Sequence, residues 1–184
     1  FPYALDNGAW SVHAKGKGGH LDLDLFTRLV DQLGARADWC TAPDAVGGGA
    51  LSLSLSLAWL PWVLDRTRLA LIPVQDGMSK ADLRPHLGKR VGIFVGGTTE
   101  WKLSSTPMWG ELAAELGCYL HVGRVNTMGR MKICAAAGTH SIDGTSAIQF
   151  PSTIADITRW NSGFTTAGGT CVCAHIGDLN DATT

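Results

Sequence analysis

Short apolar runs alternate with amphipathic stretches along most of the chain, and this alternation predicts parallel strands separated by helices. Six apolar runs have the length of strands, and they cover residues 3–5, 38–41, 69–74, 90–95, 118–122 and 140–142. The stretch from Asp22 to Leu33 has apolar residues at helical spacing and stops at Gly34. Because consecutive parallel strands need a crossover between them, the pattern favours an α/β fold with a parallel sheet.

Further helices are predicted over residues 50–64, 79–87, 106–116, 127–137 and 154–160. The Ser/Leu alternation in 50–64 is also compatible with a strand, but a crossover is needed there and Pro61 is tolerated as a kink. We expect Pro107 at the first position of its helix and Ser79 as an N-cap. The chain from residue 161 is rich in Gly, Thr and Ser, so we expect one domain over 1–160 and a loop or tail over 161–184.

The length of the chain limits the architecture. A full eight-stranded barrel usually needs about 250 residues, and this chain has 184. The expected fold is therefore a compact or incomplete (β/α)8 TIM-type barrel. A net charge of −1 argues against tight non-specific binding to nucleic acid, although it leaves room for a local basic patch. The apolar run over 50–60 is interrupted by serines and too short to span a bilayer, so no membrane partner is expected.

Each apolar run is followed by an acidic, amide or glycine residue. In α/β barrels the loops after the carboxyl ends of the strands meet at one mouth and carry the reactive groups. The residues in these positions are Asp6, Asp44, Gln75, Gly96, Gly97, Gly123 and Asp143. Three carboxylates and one amide arriving from separate strands indicate a site for a polar, partly planar ligand.

Cysteine usage points to a reducing compartment. The five cysteines are an odd number without a regular framework, so reduced thiols in the cytoplasm are expected. Near the end of the chain, Cys171, Cys173 and His175 offer three ligands, whereas a structural zinc site needs four. We expect neither zinc nor another cofactor.

The order and spacing of these motifs resemble those of the tRNA-guanine transglycosylase superfamily. Within it, the chain is most similar to the short, phage-encoded branch that inserts 7-deazaguanines into DNA. The resemblance extends from residue 3 to about residue 150. It implies a pentosyltransferase that exchanges guanine in a nucleic acid for a free 7-deazaguanine base, in the cytoplasm, or in the host cytoplasm if phage-encoded.

The resemblance assigns roles to two carboxylates. Asp6 stands where the family has the Asp of an Asp-Ser-Gly-Gly segment, which acts as general base, and Ala9 replaces the last glycine. Asp143 matches the nucleophilic aspartate, which attacks C1′ and forms a covalent glycosyl-enzyme. Read from the residues alone, Asp143 is also typical of a helix N-cap or of a turn before Gly144.

The resemblance assigns recognition of the edge of the base to residues in three loops. Asp44 matches the family's carboxylate that accepts from N1–H and from the exocyclic amine of guanine. Gln75 matches the glutamine that donates to O6, and Gly96 with Gly97 matches a pair whose backbone N–H also reaches O6. A phosphate-cradling loop or a plain tight turn is the other interpretation of the two glycines.

The faces of the base are assigned to Trp10 and to the segment containing Val122 and Gly123. Trp10 matches an aromatic residue that stacks on the base, although a tryptophan in the core or at the rim is also common. Val122 stands where the family has an apolar residue under the base.

Basic residues near the predicted mouth are candidates for contacts with the polymer. Lys102, Arg124 and Arg130 lie just past strand ends and are placed to bind backbone phosphates, with solvated surface charge as the alternative. The loop over 15–20 is a further candidate clamp. Because a third cysteine for the zinc segment of the tRNA enzymes is missing, DNA is favoured over tRNA. A base in a duplex is out of reach, so the target must be flipped or single-stranded.

Four alternatives stay open at this point. They are a tRNA-guanine transglycosylase, a hydrolase that leaves an abasic site, a non-catalytic barrel subunit that binds a partner or a modified base, and an unrelated small-molecule barrel enzyme. Either a homodimer or a partner protein is compatible with the near-neutral charge.

Overall fold

The computed structural model describes most of the predicted domain, namely residues 2–14 and 21–145 together with Ser152, Ile154, Ala155, Ile157 and Thr158. The predicted clamp over 15–20, part of the helix predicted over 154–160 and the tail predicted over 161–184 lie outside these residues. None of the described helices is both long enough and apolar enough to cross a membrane.

Five parallel strands form one sheet in the order in which they occur along the chain. They are β1 (Cys40–Thr41), β2 (Ala70–Val74), β3 (Val91–Val95), β4 (Leu120–Val122) and β5 (Ser141–Ile142). Leu5 forms a parallel bridge to Cys40 and so adds a sixth position at the edge beside β1. Each strand coincides with a predicted apolar run, which confirms the α/β class and the parallel sheet.

The sheet is curled into a half-barrel. Strands β1 and β4 have two strands between them, so a flat sheet would hold them about 14 Å apart. The ring of Trp39, next to β1, nevertheless lies 4.6 Å from that of His121 in β4. Phe94 of β3 lies 4.7 Å from His121 and 6.1 Å from Trp39. These three rings, here called the aromatic floor, fill the concave side of the sheet.

Within residues 2–14 and 21–145, six helices follow the sheet elements. They are α1 (Ala9–Ala14), α2 (Leu23–Leu33), α3 (Ala50–Arg66), α4 (Lys80–Leu83), α5 (Thr99–Leu116) and α6 (Met128–Ala136). The Asp22 side chain caps α2 by accepting from Leu25 N at 2.8 Å. Ser79 caps α4, and Asp82 Oδ2 accepts from Ser79 N at 2.9 Å, as in a capping box. The predicted helix over 79–87 is thus α4 followed by a 3₁₀ turn over Arg84–His86.

The core lies between the convex face of the sheet and the helices. Ile93 and Leu120 are fully buried there and pack against Trp109 and Leu112 of α5. Side chains alternate between the two faces of a strand, so Phe94, which follows Ile93, and His121, which follows Leu120, point to the concave side. Burial of this apolar surface stabilises the half-barrel.

Two helices differ from the prediction. α5 begins at Thr99 rather than at 106, because the Thr98 side chain caps it by accepting from Trp101 N at 3.4 Å. Pro107 is therefore an interior residue and not the first one, and its missing N–H leaves one helical bond unmade. The short helix α1 was not predicted.

Candidate functional site

The loops at the carboxyl ends of the strands and the aromatic floor enclose a cavity of about 750 Å³, which is in the size range of small-molecule sites. Nine of the predicted site residues line it: Asp6, Trp10, Asp44, Gln75, Gly96, Gly97, Gly123, Arg124 and Asp143. Loops that are distant in sequence therefore meet at one mouth, as the motif pattern predicts.

Asp6 lies at one edge of the curled sheet, directly after Leu5, and its side chain is open to the cavity. The surrounding protein removes water from the carboxylate and so raises the pKa of Asp6, and the charge of Asp143 raises it further. A hydrogen bond from Gly8 N at 3.3 Å opposes this shift without reversing it. Asp6 therefore holds a proton at higher pH than an ordinary aspartate.

Asp143 lies at the other edge, directly after β5, and has a donor on each carboxylate oxygen. Arg124 N donates to Oδ1 at 2.6 Å, and His121 Nε2 lies 3.0 Å from Oδ2. Burial alone raises the pKa of Asp143, but the contacts of His121, the Arg124 N–H and the charge of Lys102 lower it more, and the net shift is downward. Two carboxyl groups of the cavity thus have pKa values shifted in opposite directions.

The raised pKa of Asp6 predicts how its replacement changes stability. At neutral pH the folded state holds an ionised Asp6 that it disfavours, so Asp6→Asn is expected to raise the free energy of unfolding. The gain is at most about 1 kcal/mol, because the carboxylate is open to the cavity and solvent screens it. Since the pKa is above the unfolded value of 3.8, the gain disappears as the pH falls below that value.

Urea denaturation of Asp6→Asn and wild type between pH 3 and pH 8 measures this difference. Asp65→Asn, which replaces an exposed carboxylate outside the cavity, is the control for the substitution itself. A variant that is less stable than wild type at pH 7 would contradict the conclusion that the folded state disfavours the ionised form of Asp6.

Asp44 is buried and is held by two amides. Asn7 Nδ2 donates to Oδ1 at 2.8 Å and Gln75 Nε2 donates to Oδ2 at 2.5 Å. Burial raises the pKa of Asp44, and the charge of Asp6 adds to the shift, whereas the bonds from Asn7 and Gln75 oppose it. Asn7 also donates to Ala42 O at 2.7 Å, so it ties the segment carrying Asp6 to the loop carrying Asp44.

Gln75 lines the cavity, but its amide is already used. Beside its bond to Asp44, Nε2 lies 3.0 Å from Ser52 Oγ, and Oε1 accepts from Gly47 N at 2.6 Å. In this structure Gln75 orients Asp44. Ser56 Oγ donates to Pro43 O at 2.9 Å, so two serines on one face of α3 fix the same loop. These serines were not predicted, although their spacing of four in an apolar helix is a signal for a shared polar contact.

The two glycines after β3 are not equivalent. Gly96 N donates to Val74 O at 2.9 Å, so this N–H already has a partner in the sheet. Gly97 has a φ of 72°, and a Cβ there would lie 2.5 Å from Asp76 Oδ2. Asp76 accepts from Thr98 N at 2.8 Å and so fixes this turn. The N–H of Gly97 has no hydrogen-bond partner among the residues that the structure describes, so it is the one available to a ligand.

Arg124 and Trp10 contact each other at the mouth. The Arg124 guanidinium carbon lies 3.7 Å from the centroid of the Trp10 ring, and Nη2 donates to Gly97 O at 2.5 Å. Arg124 has a φ of 57°, which is uncommon outside glycine. This backbone turn aims its N–H at Asp143, while the side chain covers the ring of Trp10, which is 43% exposed.

The prediction that Val122 lies under the base is wrong. Val122 is fully buried in the core on the convex face of the sheet and does not line the cavity. Because side chains alternate along β4, the concave position belongs to His121. Gly123 is needed for a different reason, since a Cβ there would lie 2.9 Å from the Phe94 ring.

Lys102 and Arg130 do not reach the cavity. Lys102 is 1% exposed and its ammonium group donates to Gly123 O, so the prediction that it binds phosphates is wrong. Burial lowers its pKa to about 8, and the charges of Arg124 and Arg130 act in the same direction. Arg130 is half-buried on α6 and lies outside the cavity lining. Of the three predicted cations, the structure places Arg124 in the cavity.

The buried lysine predicts a pH effect on stability. Its pKa of about 8 in the folded state lies below the ordinary 10.5, so below pH 8 the folded state carries an ammonium group that it disfavours. As the pH rises from about 8 to about 10, wild type should therefore gain stability relative to Lys102→Met. Urea denaturation of both proteins across this range measures the difference, and Lys132→Met is the control at an exposed lysine. If the free energies of unfolding of wild type and Lys102→Met differ by the same amount at every pH in this range, the lowered pKa of Lys102 is contradicted.

His121 and Ser141 are the main site residues that the sequence analysis missed. His121 Nδ1 lies 2.7 Å from Ser141 Oγ, and its other nitrogen contacts Asp143. Strand periodicity was the available signal for Ser141, which lies two residues before Asp143, since residues two apart in a strand share a face. Thr41 Oγ1 is another missed group: it is buried in the cavity wall without a hydrogen-bond partner among the described residues.

Comparison with known proteins gives no further assignment. None of the family models, curated proteins or solved structures that were compared with the chain matches it. Within residues 2–14 and 21–145, no group of three or more His, Cys, Asp or Glu side chains is arranged to hold a metal ion. Cys171, Cys173 and His175 lie outside the described residues.

Proposed function

We propose that the protein is a base-exchanging transglycosylase that replaces guanine in a nucleic acid by a 7-deazaguanine through a glycosyl-aspartate at Asp143. The fold proposed for it is a compact, incomplete (β/α)8 barrel of the TIM type. The observation that carries the proposal is the pair Asp6 and Asp143. They come from opposite edges of the curled sheet, share one cavity and have pKa values shifted in opposite directions.

Asp143 acts first in the proposed reaction. As a carboxylate with a lowered pKa, it attacks C1′ of the target nucleotide and forms a C1′–O bond. The C1′–N9 bond breaks, and its electron pair goes to guanine, which takes a proton from Asp6. The raised pKa of Asp6 makes the protonated form that this step needs easier to reach than for an ordinary aspartate.

The second half of the reaction reverses the first with another base. The incoming 7-deazaguanine gives its N9 proton to the Asp6 carboxylate, and the N9 electron pair attacks C1′. The C1′–O bond breaks and Asp143 leaves as a carboxylate. Two displacements retain the configuration at C1′, as in retaining glycosidases, and no external energy source is consumed.

The base edge is assigned to Asp44 and Gly97. Asn7 and Gln75 each donate to one oxygen of Asp44, which leaves one lone pair per oxygen for the N1–H and the amine of guanine. The N–H of Gly97 is available to O6. The hydroxyl of Thr41 is an additional polar group in the wall that a ligand can satisfy. Trp10 and the aromatic floor supply the ring faces.

The proposed polymer is DNA, with tRNA as the alternative, and the target guanine has to be unpaired to enter the cavity. Arg124 is the cation placed to contact a phosphate next to the target, because its side chain lies at the mouth. A free 7-deazaguanine base is the second substrate.

A base-exchange assay tests the proposal. Labelled guanine is incubated with single-stranded DNA or with tRNA in the presence of wild type, Asp6→Asn or Asp143→Asn. The same incubations are made separately with a labelled 7-deazaguanine. Label entering DNA with wild type and with neither variant supports the proposal. Label entering tRNA alone overturns the choice of polymer, and release of guanine without incorporation indicates a hydrolase. Binding of the free base without any exchange indicates a binding subunit.

The contact between Arg124 and Trp10 predicts that Arg124→Ala binds free guanine more tightly. The guanidinium has to leave the Trp10 ring before a base can use that face, and an exposed cation–π contact is worth about 0.5–1 kcal/mol. The expected gain is about two- to fivefold, measured by quenching of tryptophan fluorescence. Arg130→Ala is the control, since Arg130 lies outside the cavity lining. Weaker binding would instead make Arg124 a part of the base site.

A further inference from the structure

We infer that His121 is a positioning residue for Asp143, which it holds by one carboxylate oxygen in the orientation needed for attack on C1′. The inference rests on the proposed function, because it takes Asp143 to be the nucleophile. It concerns a residue that the motif pattern does not assign to the site.

The His121 ring is fixed by its surroundings. It is buried on the concave side of β4, between the rings of Trp39 and Phe94, whose centroids lie 4.6 and 4.7 Å away. Rotation of the imidazole would require both rings of the aromatic floor to move. His121 therefore presents Nε2 to Asp143 from a defined direction.

A row of hydrogen bonds sets the state of the imidazole. Ser141 is the residue paired with His121 in the sheet register, and its Oγ lies 2.7 Å from Nδ1. When Ser141 donates to Nδ1, the neutral ring carries its proton on Nε2 and donates to Asp143.

Ser141 and Asp143 lie at the two ends of this row of hydrogen bonds, and their exposure shows which of the two the row supports. Ser141 is 7% exposed, whereas the side chain of Asp143 is 49% exposed to the cavity. In a serine hydrolase the hydroxyl faces the substrate and the carboxylate is buried. Here the order is reversed, so the row supports the carboxylate rather than activating the serine.

The contact suits both states of the nucleophile. Arg124 N holds Oδ1 at 2.6 Å while His121 Nε2 holds Oδ2 at 3.0 Å, so the plane of the carboxylate is fixed before the reaction. After attack, an ester oxygen that is still a carbonyl can keep its donor. The donors need no rearrangement between the carboxylate and the ester, which is the advantage of a preorganised site.

The test compares His121→Phe, which keeps a ring between Trp39 and Phe94 but has no donor, with His121→Gln, which restores an N–H donor. His86→Gln, at a half-buried histidine outside the cavity, is the control. Carbon-13 NMR follows the Asp143 carboxyl carbon with pH, assigned with Asp143→Asn. Single-turnover exchange into DNA and affinity for free guanine are measured on the same proteins. The other charged groups that face Asp143 are Asp6, Lys102 and Arg124, and they are unchanged in all variants.

In His121→Phe the pKa of Asp143 should rise and the exchange rate should fall about 100-fold, because a misplaced reacting group costs about this much. The affinity for guanine should stay within about twofold, and His121→Gln should recover about a tenth of the wild-type rate or more. An unchanged titration of Asp143, or a loss of affinity as large as the loss of rate, overturns the inference. If His121→Phe does not fold, Ser141→Ala takes its place and should show the same changes at smaller size.

The outcomes separate the inference from the proposed function. If wild type exchanges no base into either polymer while the Asp143 titration still shifts in the variant, the proposed function fails and the contact stands. If wild type exchanges bases and the titration does not shift, the inference alone fails.

Discussion

An Asp143→Ala variant is expected to form no covalent adduct with a guanine-containing oligonucleotide and to bind free guanine as tightly as wild type. The substitution removes the oxygen that would attack C1′, and the pKa values of Asp6 and Asp44, the other two carboxylates assigned to the site, are raised rather than lowered. Loss of a nucleophile typically reduces the rate by a factor on the order of 10³ or more. Asp44 and Gly97, which are assigned to the base edge, keep their positions.

Adduct formation is measured by denaturing electrophoresis and mass spectrometry of the protein after quenching, and guanine affinity by calorimetry. Asp65→Ala, which removes an exposed carboxylate outside the cavity, is the control. An adduct that persists in Asp143→Ala would remove Asp143 from the role of nucleophile. A lost adduct with a large loss of guanine affinity would make it a binding residue instead.

The second large effect is expected from Asp44→Asn. The side chains of Asn7 and Gln75 both donate to Asp44, and a bound guanine would add two further donors. An asparagine places its own NH₂ group against at least one of these donors. Leaving donors unpaired in a buried site costs about 2–3 kcal/mol, or roughly 30- to 150-fold in affinity.

Hypoxanthine provides the matched ligand for this prediction, because it keeps N1–H and lacks the exocyclic amine. Wild type should bind guanine more tightly than hypoxanthine, and Asp44→Asn should lose most of this preference. Calorimetric titration of both bases into both proteins measures the four affinities. Equal affinity of wild type and variant for guanine would exclude Asp44 from the base edge.

The strands and their order could be predicted because each is a short, nearly continuous apolar run followed by a polar residue. A strand buried on both faces reads in this way, and the run over 90–95 gives β3 almost to the residue. The expected incomplete barrel implies a curled sheet, but the contact that joins its strands across the concave side could not be predicted, because Trp39 and His121 lie 82 residues apart in the chain (121 − 39).

The site was harder to predict at the level of single side chains. The sequence places the loop of Val122 at the mouth, but a strand with apolar residues on both faces does not reveal which residue points inward, and His121 takes that position. Lys102 has no local signal of burial, since its partner is the carbonyl of Gly123 in the loop after β4. The bond from Gln75 to Asp44 likewise depends on tertiary structure.

The segment that carries Asp6 is attached to the rest of the molecule more weakly than the strands of the sheet. Leu5 makes a single bridge to the sheet. Three backbone hydrogen bonds hold the segment, namely those from Leu5 N to Trp39 O, from Asp38 N to Tyr3 O and from Thr41 N to Leu5 O. The side chain of Asn7 adds hydrogen bonds to Ala42 O and Asp44 Oδ1. Such an element opens locally at a lower free energy than the core. Heat or denaturant would then detach Asp6 from Asp143 while the half-barrel is still folded, and the proposed base exchange would be lost before the cooperative unfolding transition.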